Sequence, residues 1–164
     1  MIIENLPKVI DSPQDIDARG KMLLAATMGA TAFQKGLGMI HSMAHPLSAE
    51  YNIHHGLANA LLIKFCLEFT VEKTMETENQ DLIKKLEMIG DILSSNTLDN
   101  IRYISDILED FINFIGITLG LSEHGVLVEN VPTLAKLAFE DSCHATHPFS
   151  VTIEDFTAIY TRAL

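Results

Sequence analysis

Between Gly36 and Ala60 the chain reads GLGMIHSMAHPLSAEYNIHHGLANA, which puts four of its seven histidines, His41, His45, His54 and His55, into fifteen positions. From Gly36 to Ala49 there is no Asp, Glu, Lys or Arg, so the first two rings lie among Leu37, Met39, Ile40, Met43 and Leu47. A polar ring in such a setting is costly to bury without a partner. His41 and His45 are four residues apart, and on a helix that spacing places both imidazoles on one face, a turn apart. Pro46, Tyr51 and Asn52 are expected to break and turn the chain and to return His55 to the same side. Neutral imidazoles converging in this way suit a divalent cation such as Fe(II) or Zn(II), although this stretch alone leaves the ion short of ligands. Two histidines four apart are more often partly exposed polar residues. The charge-free surroundings are what favour a metal here.

The remainder of the chain reads as helix. Met1 to Gln14 has no clear period and contains Pro7 and Pro13, so it is expected to be a lead-in segment, partly extended or helical. A helix should begin near Asp15, with Ile16, Arg19, Met22, Leu23, Ala26 and Ala30 at helical spacing. The small residues from Ala25 to Ala32 predict that it is buried against neighbours on more than one side. Gly36 and Gly38 separate it from the histidine helix. A loop over 49–54 then leads to a helix that opens on His55 and Gly56. The electropositive start of that helix favours the neutral, metal-competent form of His55. The polar run VEKTMETENQD reads as an exposed connection or the exposed first turns of a helix. Beyond it come two amphipathic stripes, Leu82, Leu86, Ile89, Leu93 and then Leu98, Ile101, Ile104, Leu108, Phe111, Ile112, Ile115, which core packing explains. A short helix over 133–140, a loop over 141–148 and a final helix capped by Thr152 and Asp155 complete the chain. No segment alternates over a strand's length. The fold class is therefore all-α, a single helical domain over 1–164 in the form of a bundle.

Composition narrows the function classes. The 164 residues, 48% of them hydrophobic, are enough for a core of their own. The mean hydropathy of +0.21 is high, yet the longest charge-free runs fall short of the ~18–20 residues that a bilayer requires. Eleven basic against 22 acidic residues give a formal net charge of -11, which argues against nucleic acid or an anionic membrane as partner. Cys66 and Cys143 are the only cysteines and form no paired motif. They fit a reducing, cytoplasmic setting, and Cys143 by itself reads as a structural thiol.

The stretch GLGMIHSMAHPLSAEYNIHHGLANALL resembles the metal-binding signature of the iron-containing (group III) alcohol dehydrogenases, close to GLGxxHxxAHPLGAxYxxPHGxxNAxLL. The upstream AATMGATAFQKGLG and the terminal AFEDSCHATHPFSVTIEDFTAIYTRAL are similar to the same family, so the resemblance spans nearly the whole chain. It implies the helical, C-terminal half of a dehydroquinate synthase-like architecture. It also implies His41 and His55 as metal ligands, His45 as the catalytic residue that faces the nicotinamide and substrate, and Cys143 in the substrate pocket. Ser48, His54, His147 and Phe149 depart from the family pattern, which has Gly at the first position, often Pro at the second, and NPR across the last two.

The family also has an α/β dinucleotide-binding domain with a GGGS turn, together with an Asp and a third His that complete the metal shell, all upstream of the matched stretch. None of these occurs in the 164 residues. The expectation is thus the C-terminal metal- and substrate-binding domain of an iron-dependent NAD(P) alcohol dehydrogenase, truncated or one part of a split enzyme and inactive alone. Fe(II) or Zn(II) would bind weakly, and NAD(P) only beside an α/β nucleotide-binding partner chain. An open histidine face would favour a homo-oligomer. Two alternatives remain: a repurposed, non-catalytic helical domain, and a self-contained metal store built on His41, His45, His54 and His55.

Overall fold

The computed structural model describes residues 1–94 and 100–164. Among these residues there are eight α-helices and no strand. They are α1 (Ile2–Asp11), α2 (Ile16–Ala32), α3 (Gly38–Tyr51), α4 (His55–Glu76), α5 (Gln80–Ser94), α6 (Ile104–Phe114), α7 (Val131–Glu140) and α8 (Ile153–Ala163). Short 3-10 turns lie at Phe33–Lys35, Ile101–Tyr103, Leu121–His124, Val128–Asn130 and Ser142–Thr146. Leu98, which the sequence places at the head of a stripe, lies outside the described residues.

The fold is organised around α3. Met39, Met43 and Leu47 recur every four residues on one side of it and, with Ala44, are at most 1% exposed. They pack in one core with Ala58, Leu61, Leu62, Cys66 and Phe69 of α4, Leu134, Ala135 and Ala138 of α7, and Phe156, Ile159 and Tyr160 of α8. At 100° per residue, His41 and His45 fall about 160–200° round the helix from Met43. The burial that fixes α3 therefore turns its histidines away from the core. Tyr160 secures this arrangement by donating its hydroxyl proton to the Met43 carbonyl at 2.6 Å inside the core. A smaller cluster of Val71, Leu86, Ile101 and Ile104 joins α4 to α5 and α6.

Several boundaries differ from the sequence reading, for identifiable reasons. The lead-in forms a full helix, α1, in which Pro7 sits one turn in. Pro46 does not break α3, which continues to Tyr51 with Pro46 buried inside it. The turn comes at Asn52, whose left-handed φ of 54° ends the helix; asparagine tolerates that conformation better than most residues. Only part of the polar run after Phe69 is a connection: α4 continues to Glu76 and buries Val71 and Thr74, and residues 77–79 then join it to α5.

The largest departure concerns α2. Its small residues do not bring close burial on several sides: only Ala18 and Ala25 are buried, while Ile16, Leu23, Leu24 and Met28 are 84%, 72%, 53% and 56% exposed. Among the described residues α2 packs chiefly on α1 and on the turn that follows it. Between this hairpin and α4–α6 lies an apolar cavity of about 670 Å³, lined by residues that include Met28, Ala32, Ile63, Leu108 and Phe111.

Candidate active site

The histidines expected to act together are brought together, and the turn at Asn52 accounts for it. The ring centroids of His41 and His55 lie 5.2 Å apart, those of His45 and His55 5.3 Å, and those of His41 and His45 5.9 Å. Two imidazoles on one tetrahedral ion, with bonds of ~2.0–2.1 Å, have centroids about 5 Å apart. The His41 and His55 rings thus stand at about that spacing, whereas His45 is stacked on His55 with 21° between their planes. Burial, aided by neighbouring His55, holds His41 below the ordinary histidine value, and its Nδ1 is buried with no hydrogen-bond partner. Both features suit a neutral ring. His55 is exposed at the start of α4, with its Nε2 3.2 Å from the Asn59 amide nitrogen. A neutral His41 and an exposed His55 are donors of the kind that a divalent cation takes. Phe33 closes one side, edge-on to His41 at 5.7 Å between centroids.

His54 does not join this cluster. Its Nδ1 accepts the Gly56 N–H at 3.2 Å and caps α4, which takes one nitrogen away from a four-histidine store.

The residue that sequence reasoning missed is Asp141. Its Oδ2 lies 2.7 Å from His45 Nδ1 across 96 positions of chain. The carboxylate is itself held on its other oxygen: Oδ1 accepts the Cys143 N–H at 2.8 Å and lies 3.1 Å from the Ser42 hydroxyl. Ser42 in turn accepts the His144 N–H at 2.8 Å. Partial burial pushes the Asp141 carboxyl up, but the hydrogen bonds from His45, Cys143 and Ser42 outweigh it and hold the group well below the usual carboxylate range. Two signals in the sequence pointed here. Ser42 stands between two histidines of a charge-free run, and Asp141 stands two residues before the one cysteine near the site.

The terminal segment that carries Asp141 is pinned to the start of α3. Thr146 Oγ1 accepts the Gly38 N–H at 3.0 Å and donates to the Cys143 carbonyl at 2.8 Å. Gly36, at φ 102°, lies so close to Thr146 that a Cβ there would overlap it, so glycine is required on grounds of both conformation and space.

Among the described residues His45, Asp141 and Cys143 also form a group whose ligand atoms lie within 4.8 Å of one another. Their chemistry is that of a hydrogen-bonded network more than of a metal cage. Asp141 already spends Oδ2 on His45, and the Cys143 thiol is pushed up to about 11 by burial and by the Asp141 carboxylate. A coordinating sulfur has to be a thiolate. Cys143 is half-buried at the edge of the site, whereas Cys66 is buried in the core. His147 lies apart, its ring near Phe69 and Phe149.

A family model described as "Fe-containing alcohol dehydrogenase family, C-terminal" matches residues 1–164. The chain belongs to the iron-containing alcohol dehydrogenase family. The NAD-dependent methanol dehydrogenase of Bacillus methanolicus is 33% identical over 166 residues, a match that covers 100% of this chain and 42% of that protein. The lactaldehyde reductase of Escherichia coli K12 is 32% identical, over 91% of this chain and 38% of the relative. Among solved structures, a 1,3-propanediol oxidoreductase superposes with a TM-score of 0.84 at 26% identity, and an alcohol dehydrogenase from Oenococcus oeni with 0.89 at 24%; each match covers 99% of this chain and 42% of the other. The chain thus spans about two-fifths of the length of these relatives. Its all-helical fold is the one expected for the C-terminal domain of the family.

Proposed function

We propose that this chain supplies the metal- and substrate-binding half of an NAD(P)-dependent alcohol dehydrogenase. The observation that carries this reading is the convergence of His41, His45 and His55 at 5.2–5.9 Å beside Asp141. His41 and His55 would hold Fe(II) or Zn(II). When bound there, the ion acts as a Lewis acid that makes an alcohol oxygen easier to deprotonate. His45 stands next to both ligands with its side chain 41% exposed, so it can meet substrate and nicotinamide. Cys143, protonated at neutral pH, contributes a neutral wall to the substrate pocket.

The relatives' printed names, methanol dehydrogenase and lactaldehyde reductase among them, support alcohol–aldehyde interconversion as the reaction class. Hydride transfer draws most of its rate from holding the nicotinamide against the reacting carbon, and no βαβ unit occurs among the described residues. The cofactor would be held by an α/β nucleotide-binding unit outside these 164 residues, for which a partner chain is one source. The two unpaired cysteines support a reducing, cytoplasmic setting.

The test is reconstitution. The purified chain, loaded with Fe(II) or Zn(II), is expected to show no NAD- or NADP-dependent alcohol oxidation. Addition of an α/β nucleotide-binding domain from a relative should restore turnover, and His45→Ala should abolish what was restored. Robust turnover by the chain alone would contradict this reading.

A further inference from the structure

The bond between Asp141 and His45 does more than join two elements, because the carboxylate is held in place on its other side. Oδ1 accepts the Cys143 N–H at 2.8 Å and lies 3.1 Å from the Ser42 hydroxyl, which also lies 3.2 Å from the Asp141 carbonyl and accepts the His144 N–H. Oδ2 faces His45 Nδ1 at 2.7 Å. An ionised carboxylate can only accept, so the proton in that bond belongs to Nδ1, and the neutral imidazole must keep its lone pair on Nε2. An isolated histidine prefers the opposite tautomer.

We propose that Asp141, clamped by Ser42 and the Cys143 N–H, is a positioning residue that fixes His45 as the Nδ1–H tautomer and so makes Nε2 the proton acceptor of the site. The role in turnover rests on the dehydrogenase reading above. There the hydroxyl O–H bond of the alcohol breaks and its proton goes to Nε2. The hydride leaves the carbinol carbon for the oxidised nicotinamide, and the alcohol becomes a carbonyl. Asp141 stabilises the resulting imidazolium and keeps no proton itself. Histidine–carboxylate pairs of this kind fix tautomers in other enzymes.

The clamp makes a specific forecast for Asp141→Asn. With Oδ1 retained by the Cys143 N–H and Ser42, the amide must turn its NH2 towards His45. The ring then has to accept at Nδ1 and carry its proton on Nε2. Long-range 1H–15N correlation spectra of the neutral rings in the full chain, assigned with His45→Gln, read the tautomer directly. The parent is expected to show Nδ1–H at His45; Asp141→Asn and Asp141→Ala are both expected to move the proton to Nε2, while Ser42→Ala leaves it on Nδ1 because Oδ2 is untouched.

An Nε2–H signal in the parent would overturn the proposal with no variant needed, and so would an unchanged tautomer in both Asp141 variants. Zinc titration of the same samples keeps the two ideas separate. Loss of zinc binding in His41→Ala/His55→Ala together with an Nε2–H parent would sink the positioning role alone. Unchanged zinc binding in that double variant with an Nδ1–H parent would sink the metal reading alone.

Discussion

Two parts of this chain share a helical period and differ in how it is satisfied. In α3, with α4, α7 and α8 around it, each apolar position meets another, and Met43, Leu47, Leu61, Phe156 and Ile159 are fully buried. In α2 the apolar positions are as numerous, yet Leu23 and Met28 are 72% and 56% exposed. The difference teaches where the site's rigidity comes from. The histidines of α3 are presented by a helix that is packed from behind and pinned at its start by Thr146, whereas the α1–α2 hairpin stands across an apolar cavity of about 670 Å³.

Core truncation should expose this contrast most strongly. Phe156→Ala removes a fully buried ring from the α3 core and is expected to cost about 3–5 kcal/mol, the range for large-to-small changes at packed sites. Leu23→Ala on α2 should stay within about 0.5 kcal/mol, as surface changes do. Chemical denaturation of both variants measures the difference. Equal losses would mean that α2 is buried against something in solution, and the contrast would fail.

The next effect, smaller and pH-dependent, comes from His147, whose burial between Phe69 and Phe149 pushes its pKa down to about 4. As pH falls below about 6.5 the unfolded chain takes up this proton, while the folded chain does so only near pH 4. Stability should therefore drop across that window and flatten below it. His147→Leu is expected to reduce the slope of unfolding free energy against pH between 4 and 6.5. An unchanged slope would show that the ring is accessible in the folded state.

How legible all this was from sequence depends on the range of the interaction concerned. The return of His55 to the face of His41 and His45 is local, set by a four-residue spacing and one turn, and it could be read directly. The position of the turn could be read only in part. Of Pro46, Tyr51 and Asn52, α3 carries the first two within it, and Asn52 alone reverses the chain. The burial of α2 was misread because small residues imply close neighbours only where a neighbour exists. Asp141 was missed because its partner lies 96 positions away, and periodicity carries no information over that distance. The family resemblance pointed to this loop through Cys143, whereas the carboxylate that contacts His45 stands two residues earlier.

The central claim is that His41 and His55 share one metal ion. Calorimetric titration of the metal-free chain with Zn(II) tests it most directly, with His54→Ala as the control that removes a neighbouring imidazole from outside the cluster. The parent and His54→Ala are expected to bind one zinc per chain with similar affinity, weakly enough for a chelator to remove it, while His41→Ala/His55→Ala shows no binding heat. A double variant that binds zinc as tightly as the parent would contradict the claim and would shift attention to the group formed by His45, Asp141 and Cys143.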